Sequence, residues 1–204
     1  GEAWLREFQD QLIGPVLERG RHFDFDESHA LHVAGLARVL FQQMADLHEL
    51  ERHYETILYV AAVLHEIGLY IKDTGYHKHS MYLIRNSELF GIGPTNLQLI
   101  SQVARYHRRA SPKQSHKPYM TLDRDQRVAV CKLAAILRLA VALDASRTQR
   151  ISSIQAHQTN DSLVISTSDV HDLTHEQLAL HQSDALFEET YGLKALFSIT
   201  RHES

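Results

Sequence analysis

Apolar residues recur at helical spacing along most of the chain. Leu5, Phe8, Leu12 and Val16 fall on one face of a first helix, which Gly14-Pro15 is expected to break or restart. Asp26 or Ser28 is placed to cap a second helix, whose apolar side carries Leu31, Val33, Leu36, Val39, Leu40 and Met44. A third, Ile57 to Ile67, is apolar nearly all round and is therefore expected at the centre of the fold. Gly75 precedes a fourth helix, His77 to about Asn86. "GIGPTN" is a loop whose Thr95 is positioned to cap a fifth, ending near His107. "RASPKQSHKPYMTL" reads as another loop, after which Asp123 or Asp125 opens a long sixth helix that runs to about Asp144.

Beyond Arg147 the period changes. Ile151 to His157 and Ser162 to Thr167 are β-rich and joined at "TND", the pattern of a hairpin. "TSDVHDLTHEQLALHQSDALFEETYG" then reads as helical with Gly192 placed to end it, and "LKALFSI" returns as a third strand. The fold class expected is mainly α, a helical bundle over residues 1–148 followed by a small ββαβ unit over 149–204. Such a tail either covers an exposed helical face or forms a small subdomain, and the two are compatible.

Composition narrows the function. The 204 residues, 44% hydrophobic, are enough for one well-packed domain with an appendage. A formal net charge of −4 argues against whole-surface attraction to nucleic acid or anionic membrane, so any polyanion site must be regional. The single cysteine, Cys131, excludes an internal disulfide and a cysteine-rich zinc site and fits a reducing cytoplasm. No apolar run reaches the length of a membrane span, and "GEAWLREF" has no signal-peptide pattern.

Fifteen histidines stand out, many of them clustered. A divalent metal that activates water needs several fixed imidazole and carboxylate ligands and one open position. Candidates are His29, the pair His65-Glu66, His77 and His79, His107 and Asp144, with Glu66 and Asp144 also the candidate catalytic carboxylates. A single buried histidine is ordinarily a satisfied core residue; a set drawn from four helices that should pack together is less easily so explained. The metal expected for such a set is Mg, Mn, Fe or Zn.

A second cluster favours anions. "RYHRRASPKQSHKPY", Arg105 to Tyr119, holds Arg105, Arg108, Arg109, Lys113 and Lys117 with two histidines and no acidic residue, in a chain that is acidic overall. Guanidinium groups there offer bidentate geometry to phosphate oxygens. The plainer alternative is that the arginines complement the C-terminal dipole of their own helix. Arg138, inside an apolar helix, is expected to neutralise a buried carboxylate such as Glu66 or Asp144.

Five strings, "DESHALHVAGLARVLFQQM", "AAVLHEIGLYI", "GYHKHSMYLIRNSELFGI", "VARYHRRASPK" and "LAAILRLAVALDASR", resemble in order the C-terminal region of the exopolyphosphatase/guanosine pentaphosphate phosphohydrolase (Ppx/GppA) family. The likeness spans about Phe25 to Arg147, and the ββαβ tail resembles the family's terminal segment. It implies an HD-domain-like helical module followed by a small α/β unit. By that likeness His29 and His65 stand at the first two ligand positions of an HD metal site. Glu66 replaces the expected aspartate, and Val141 stands where a later aspartate would be, with Asp144 one turn on. A valine cannot ligate, which implies a module kept for reasons other than HD hydrolysis, with the histidines as remnants or anion ligands.

Helix packing of the family's kind would add Lys78, His79 and Arg85 to the basic surface around Arg105, His107, Arg108, Arg109, Lys113 and Lys117. The family's phosphoanhydride chemistry resembles that of actin-like ATPases with glycine-rich phosphate loops, which a sequence with 9 glycines and no such loop after a strand does not contain. The chain therefore reads as the C-terminal part of a longer protein or a stand-alone relative of that part. The resemblance implies polyphosphate or guanosine penta- or tetraphosphate as ligand, actin-like domains of the same or a partner chain, and a homodimer, with neither membrane nor specific nucleic acid involved. The runner-up is a stand-alone metal-dependent HD phosphohydrolase acting on nucleotides or phosphoanhydrides; a third reading is a guanosine tetraphosphate sensor.

Overall fold

The computed structural model describes residues 2–201, and the side chains among them other than those of residues 2–6, 8 and 9, so Leu5 and Phe8 lie outside the described side chains. Helix α1 (Glu2–His22) runs unbroken through Pro15. The expected break does not occur because Leu12 and Val16, on either side of the proline, are 5% and 1% exposed. Burying two such side chains contributes roughly 1.5–3 kcal/mol each, which offsets the cost of about 3 kcal/mol for a proline inside a helix.

Asp26 caps α2 (Glu27–Gln43), accepting from the His29 backbone N–H. A one-turn helix α3 (Ala45–His48) follows, closed by Glu49 in the left-handed region. The central helix α4 (His53–Leu64) packs against α1, α2, α6 and α8, as its all-round apolar sequence requires. It passes through His65 and Glu66 into a 3₁₀ turn (Ile67–Tyr70), then α5 (Tyr76–Arg85). Helix α6 (Pro94–Arg105) starts at Gly93 instead of Thr95, with proline in its first turn, where its missing N–H costs nothing. The loop after α6 contains a short α7 (Lys117–Met120). Helix α8 (Arg124–Leu143) is opened by Asp123 and not Asp125: Asp123 accepts from the Gln126 N–H while the Gln126 amide oxygen accepts from the Asp123 N–H, a reciprocal capping box.

In the tail, β1 (Gln155–Gln158) and β2 (Ser162–Thr167) pair antiparallel through the expected hairpin. The first strand is shorter than its sequence suggested because Ile151 and Ile154 are spent on the helical core, their carbonyls accepting from the His32 ring and the Gln43 amide. One helix was expected next; two form, α9 (Thr174–Ser183) and α10 (Ala185–Tyr191), before β3 (Lys194–Ile199) returns parallel to β2 with Leu163 opposite Ala195. Gly192 ends α10 in the left-handed region, φ 68°. Both helices pack on α8, and one hydrophobic cluster runs from Val16 to Phe197. The chain is thus mainly α with a small C-terminal α/β unit. No helix among the described residues is long and apolar enough to cross a membrane.

One contact fixes the approach of α5 to the end of α4. A Cβ on Gly68 would lie 2.1 Å from the Tyr76 carbonyl oxygen and 2.4 Å from the Ser80 nitrogen. Ser80 completes the clamp, its Oγ donating to the His65 carbonyl and accepting from the Gly68 N–H, both at 2.8 Å. Because backbone cannot step aside as a side chain can, Gly68→Ala should destabilise the protein by at least the roughly 1–3 kcal/mol of core overpacking. Urea unfolding of the two proteins measures the difference; equal midpoints would mean that α5 is not held by this contact.

Candidate functional site

The Ser80 clamp presents His65 and Glu66 from the end of α4 toward His29 in the first turn of α2. A ligand-capable atom of each of His29, His65 and Glu66 lies within 4.8 Å of the others. His29 Nδ1 donates to Asp144 Oδ2 at 2.6 Å, and its Nε2 is 3.5 Å from Glu66 Oε1. His65 donates through Nδ1 to the Ala62 carbonyl, and its fully buried Nε2 has no partner. The extra methylene of Glu66 therefore still brings its carboxylate to the histidines.

Asp144 lies behind His29 and accepts from it and from the Gln149 backbone and side-chain amides, at 2.9 and 3.2 Å. Burial would raise its carboxyl; these donors hold it below its ordinary value. His107 extends the group, its ring edge-on to that of His65 with centroids 4.8 Å apart, its Nδ1 donating to the Ala104 carbonyl and its Nε2 accepting from the Tyr76 hydroxyl at 2.9 Å. Burial and the neighbouring His65 push His107 well below the usual histidine range, so it is neutral near pH 7.

The cation that holds Glu66 is Arg147, which sequence reasoning used only as the end of the helical unit. Its two terminal nitrogens donate to both Glu66 oxygens at 3.1 and 2.9 Å, and one also reaches Asp26 Oδ2 at 3.1 Å. Burial would lift the Glu66 carboxyl, but His65, Arg147 and His29 outweigh it and hold the group at about 2. Arg138, expected to do this, faces elsewhere. It donates to the carbonyls of Tyr106 at 2.7 Å, Arg109 and Ala110 at 3.1 Å, and Ser183 at 3.4 Å. Buried at 3% exposure, it satisfies the carbonyls that the end of α6 leaves open, where the chain turns back at Arg109 with φ 66°.

The basic residues split by environment. Arg105 is buried, its guanidinium 5.0 Å from the Tyr106 ring centroid, while Arg108 is half-buried over the Tyr76 ring at 4.6 Å. Arg109, Lys113, Lys117 and Lys78 are exposed, and His79 is half-buried on α5. His77 marks the convergence: burial first, then the charges of Arg108, Lys78, Arg105 and Arg109, lower its pKa to about 4. Its buried Nδ1 has no hydrogen-bond partner. Lys113, with Arg105 and Lys78, acts likewise on His116.

Beside this cluster a cleft of about 520 Å³ opens between the helical bundle and α9, lined by Tyr76, His107, Arg108, Arg109, Gln182 and Ser183. Val141 forms part of the same wall. The cleft therefore meets the histidine group at His107, and one of its faces comes from the tail. Tyr76, Ser80, Gln149 and Arg147 escaped sequence reasoning: three of them lie within the family-like strings, but nothing in those strings marks them as site residues, and only the fold brings the four together.

Comparison with known proteins agrees with this architecture. Residues 15–188 match the family described as Ppx/GppA phosphatase, domain III. The chain is 30% identical over 137 residues to a guanosine-5'-triphosphate,3'-diphosphate pyrophosphatase of Pseudoalteromonas atlantica, covering 64% of this chain and 27% of that protein. With the protein of the same name from Aeromonas hydrophila it shares 31% identity over 142 residues, 69% of this chain and 27% of the relative. A third, from Pseudoalteromonas translucida, is 36% identical over 87 residues, 43% of this chain and 17% of the relative. The chain spans about a quarter of the length of the first of these curated relatives. With the helical bundle, its α/β tail and a match over most of its length, the chain belongs to the Ppx/GppA phosphatase family and corresponds to its domain III.

Proposed function

We propose that this chain is a phosphate-binding module that holds a polyphosphate chain, or a similarly phosphate-rich ligand, in the cleft between the helical bundle and α9, and that it acts in the cytoplasm. The observation that carries the reading is the convergence of Arg108, Lys78, Arg105 and Arg109 on the buried His77, beside an open cleft. Arg108 and Arg109 supply the contacts; the buried Arg138 holds the wall, and the buried Arg105 adds its charge at His77. The exposed Lys78, Lys113 and Lys117 extend the positive surface along the path a longer polyanion would follow. Phosphoanhydride cleavage is assigned to actin-like domains of the same or a partner chain, which this module serves by extending the binding surface and supporting assembly, a homodimer included. The relatives' printed name, a guanosine-phosphate pyrophosphatase, supports a phosphate-rich ligand.

Arg108→Ala/Arg109→Ala should weaken binding of long-chain polyphosphate by at least about tenfold, since a charge-assisted hydrogen bond contributes roughly 1.5–3 kcal/mol and 1.4 kcal/mol is a factor of ten. Binding to the wild-type protein should also fall steeply as salt rises, because the contacts are ionic. Titration calorimetry against polyphosphate and guanosine tetraphosphate decides between ligands: base-dependent affinity for the nucleotide would favour a sensing role, and wild-type polyphosphate affinity in the double variant would remove the cleft from the binding site.

His77 provides a second readout. Its pKa of about 4 lies below the ordinary 6.5, so the unfolded chain takes up a proton that the native chain refuses. Stability contributed at this position is complete above pH 6.5 and is lost as pH falls from 6.5 toward 4. A bound polyanion neutralises the surrounding cations and should raise the His77 pKa; by linkage, affinity should increase as pH falls through the same window. Proton NMR of the His77 ring, free and with polyphosphate, tests this, and an unmoved titration would place the ligand elsewhere.

A further inference from the structure

The group formed by His29, His65 and Glu66 is separate in chemistry from the phosphate cleft. Two features make it a built site. Each histidine donates through Nδ1, His29 to the Asp144 carboxylate and His65 to the Ala62 carbonyl, which leaves the Nε2 lone pairs available. Protein metal sites orient their imidazoles in this way, with the second nitrogen bound to a carboxylate or carbonyl. Moreover, the fully buried His65 Nε2 has no hydrogen-bond partner among the described residues, although a buried polar atom ordinarily has one.

Distance and charge point the same way. Tetrahedral coordination at about 2.0–2.2 Å places neighbouring donor atoms roughly 3.4 Å apart. His29 Nε2 and Glu66 Oε1 are already 3.5 Å apart. One ligand-capable atom of each of the three residues lies within 4.8 Å of the others, near the spacing a shared ion requires. Three carboxylates, Glu66, Asp144 and Asp26, lie around the group with one guanidinium, that of Arg147, a setting that favours a cation. Two imidazoles and one carboxylate suit zinc, cobalt, iron or manganese better than magnesium, which prefers oxygen ligands and retained water.

Arg147 stands in the way. It occupies both Glu66 oxygens, and its charge repels an ion brought to the same carboxylate. We propose that His29 Nε2, His65 Nε2 and the Glu66 carboxylate form a transition-metal site whose occupancy is set by Arg147, the guanidinium and the ion competing for Glu66. The arginine follows the last turn of α8 at φ 57° and is 44% exposed, so it can leave Glu66 without unpacking the core.

The test uses Co²⁺ alone, without phosphate, so its outcome is independent of the polyanion reading. The wild-type protein, Arg147→Gln, Arg147→Lys and the double variant Arg147→Gln/His65→Ala are dialysed against cobalt. Bound metal per chain, the visible absorption of coordinated Co²⁺ and the thermal midpoint are then measured. Arg147→Gln should bind one Co²⁺ per chain at least tenfold more tightly than wild type, with a raised midpoint, and the double variant should lose that ion. Arg147→Lys, which keeps the charge but not the two-pronged grip, should fall between them and carries the comparison if the glutamine variant does not fold. No tightening in either Arg147 variant, or binding that survives loss of His65, would overturn the proposal.

Discussion

The site rests on a backbone contact that tolerates no side chain. Where α4 ends, Gly68 lies so close to the first turn of α5 that any Cβ would collide with main-chain atoms, and Ser80 ties the same turn to both the His65 carbonyl and the Gly68 amide. Backbone-to-backbone packing of this kind has little compliance. It therefore fixes where His65 and Glu66 emerge relative to α2, and where Tyr76 and His77 emerge relative to α6. The histidine group and the basic cluster share that one hinge, so a shift of α5 would disturb both.

Two arginines then hold what the packing cannot. Arg138 gives its hydrogen bonds to carbonyls, and burial, partly opposed by the charge of Glu189, draws its pKa down to about 10, so it remains a cation at neutral pH. A buried charge with no direct ion pair is costly unless its donors are used. Arg138 uses them on the loop that carries Arg108 and Arg109 and on the end of α9. Arg147 is the opposite case, half-exposed and held by two carboxylates, Glu66 and Asp26. One arginine fastens the wall of the cleft; the other covers the histidine group and can move.

Their roles show how far sequence reasoning reaches. Helices α2 and α8 are legible because a 3.6-residue period and an aspartate cap determine them locally, α4 because it is apolar nearly all round, and the histidine positions are legible because their helices are. Which guanidinium meets Glu66 is decided by the path of the chain beyond α8, through left-handed residues at 147 and 149 that carry no glycine signal. An arginine inside an apolar helix was the reasonable candidate, and the loop arginine took the carboxylate. Pro15 teaches a similar lesson: its local cost is real, yet Leu12 and Val16 bury enough surface to override it.

The tail acquires a function in this arrangement. Helix α9 packs on α8 and supplies Gln182 and Ser183 to the cleft, while the Ser183 carbonyl accepts from Arg138 across the boundary. A helical bundle alone would leave Arg108 and Arg109 on an open surface, where ion pairing with a phosphate is heavily screened and contributes little. Helix α9 roofs part of that surface and makes it a cleft, leaving Arg108 half-buried and Arg109 exposed at its mouth. The same step places Val141, which cannot ligate a metal, in the wall of that cleft. His107 and Tyr76, joined by a hydrogen bond, thus form the partition between the inner histidine group and the outer cleft.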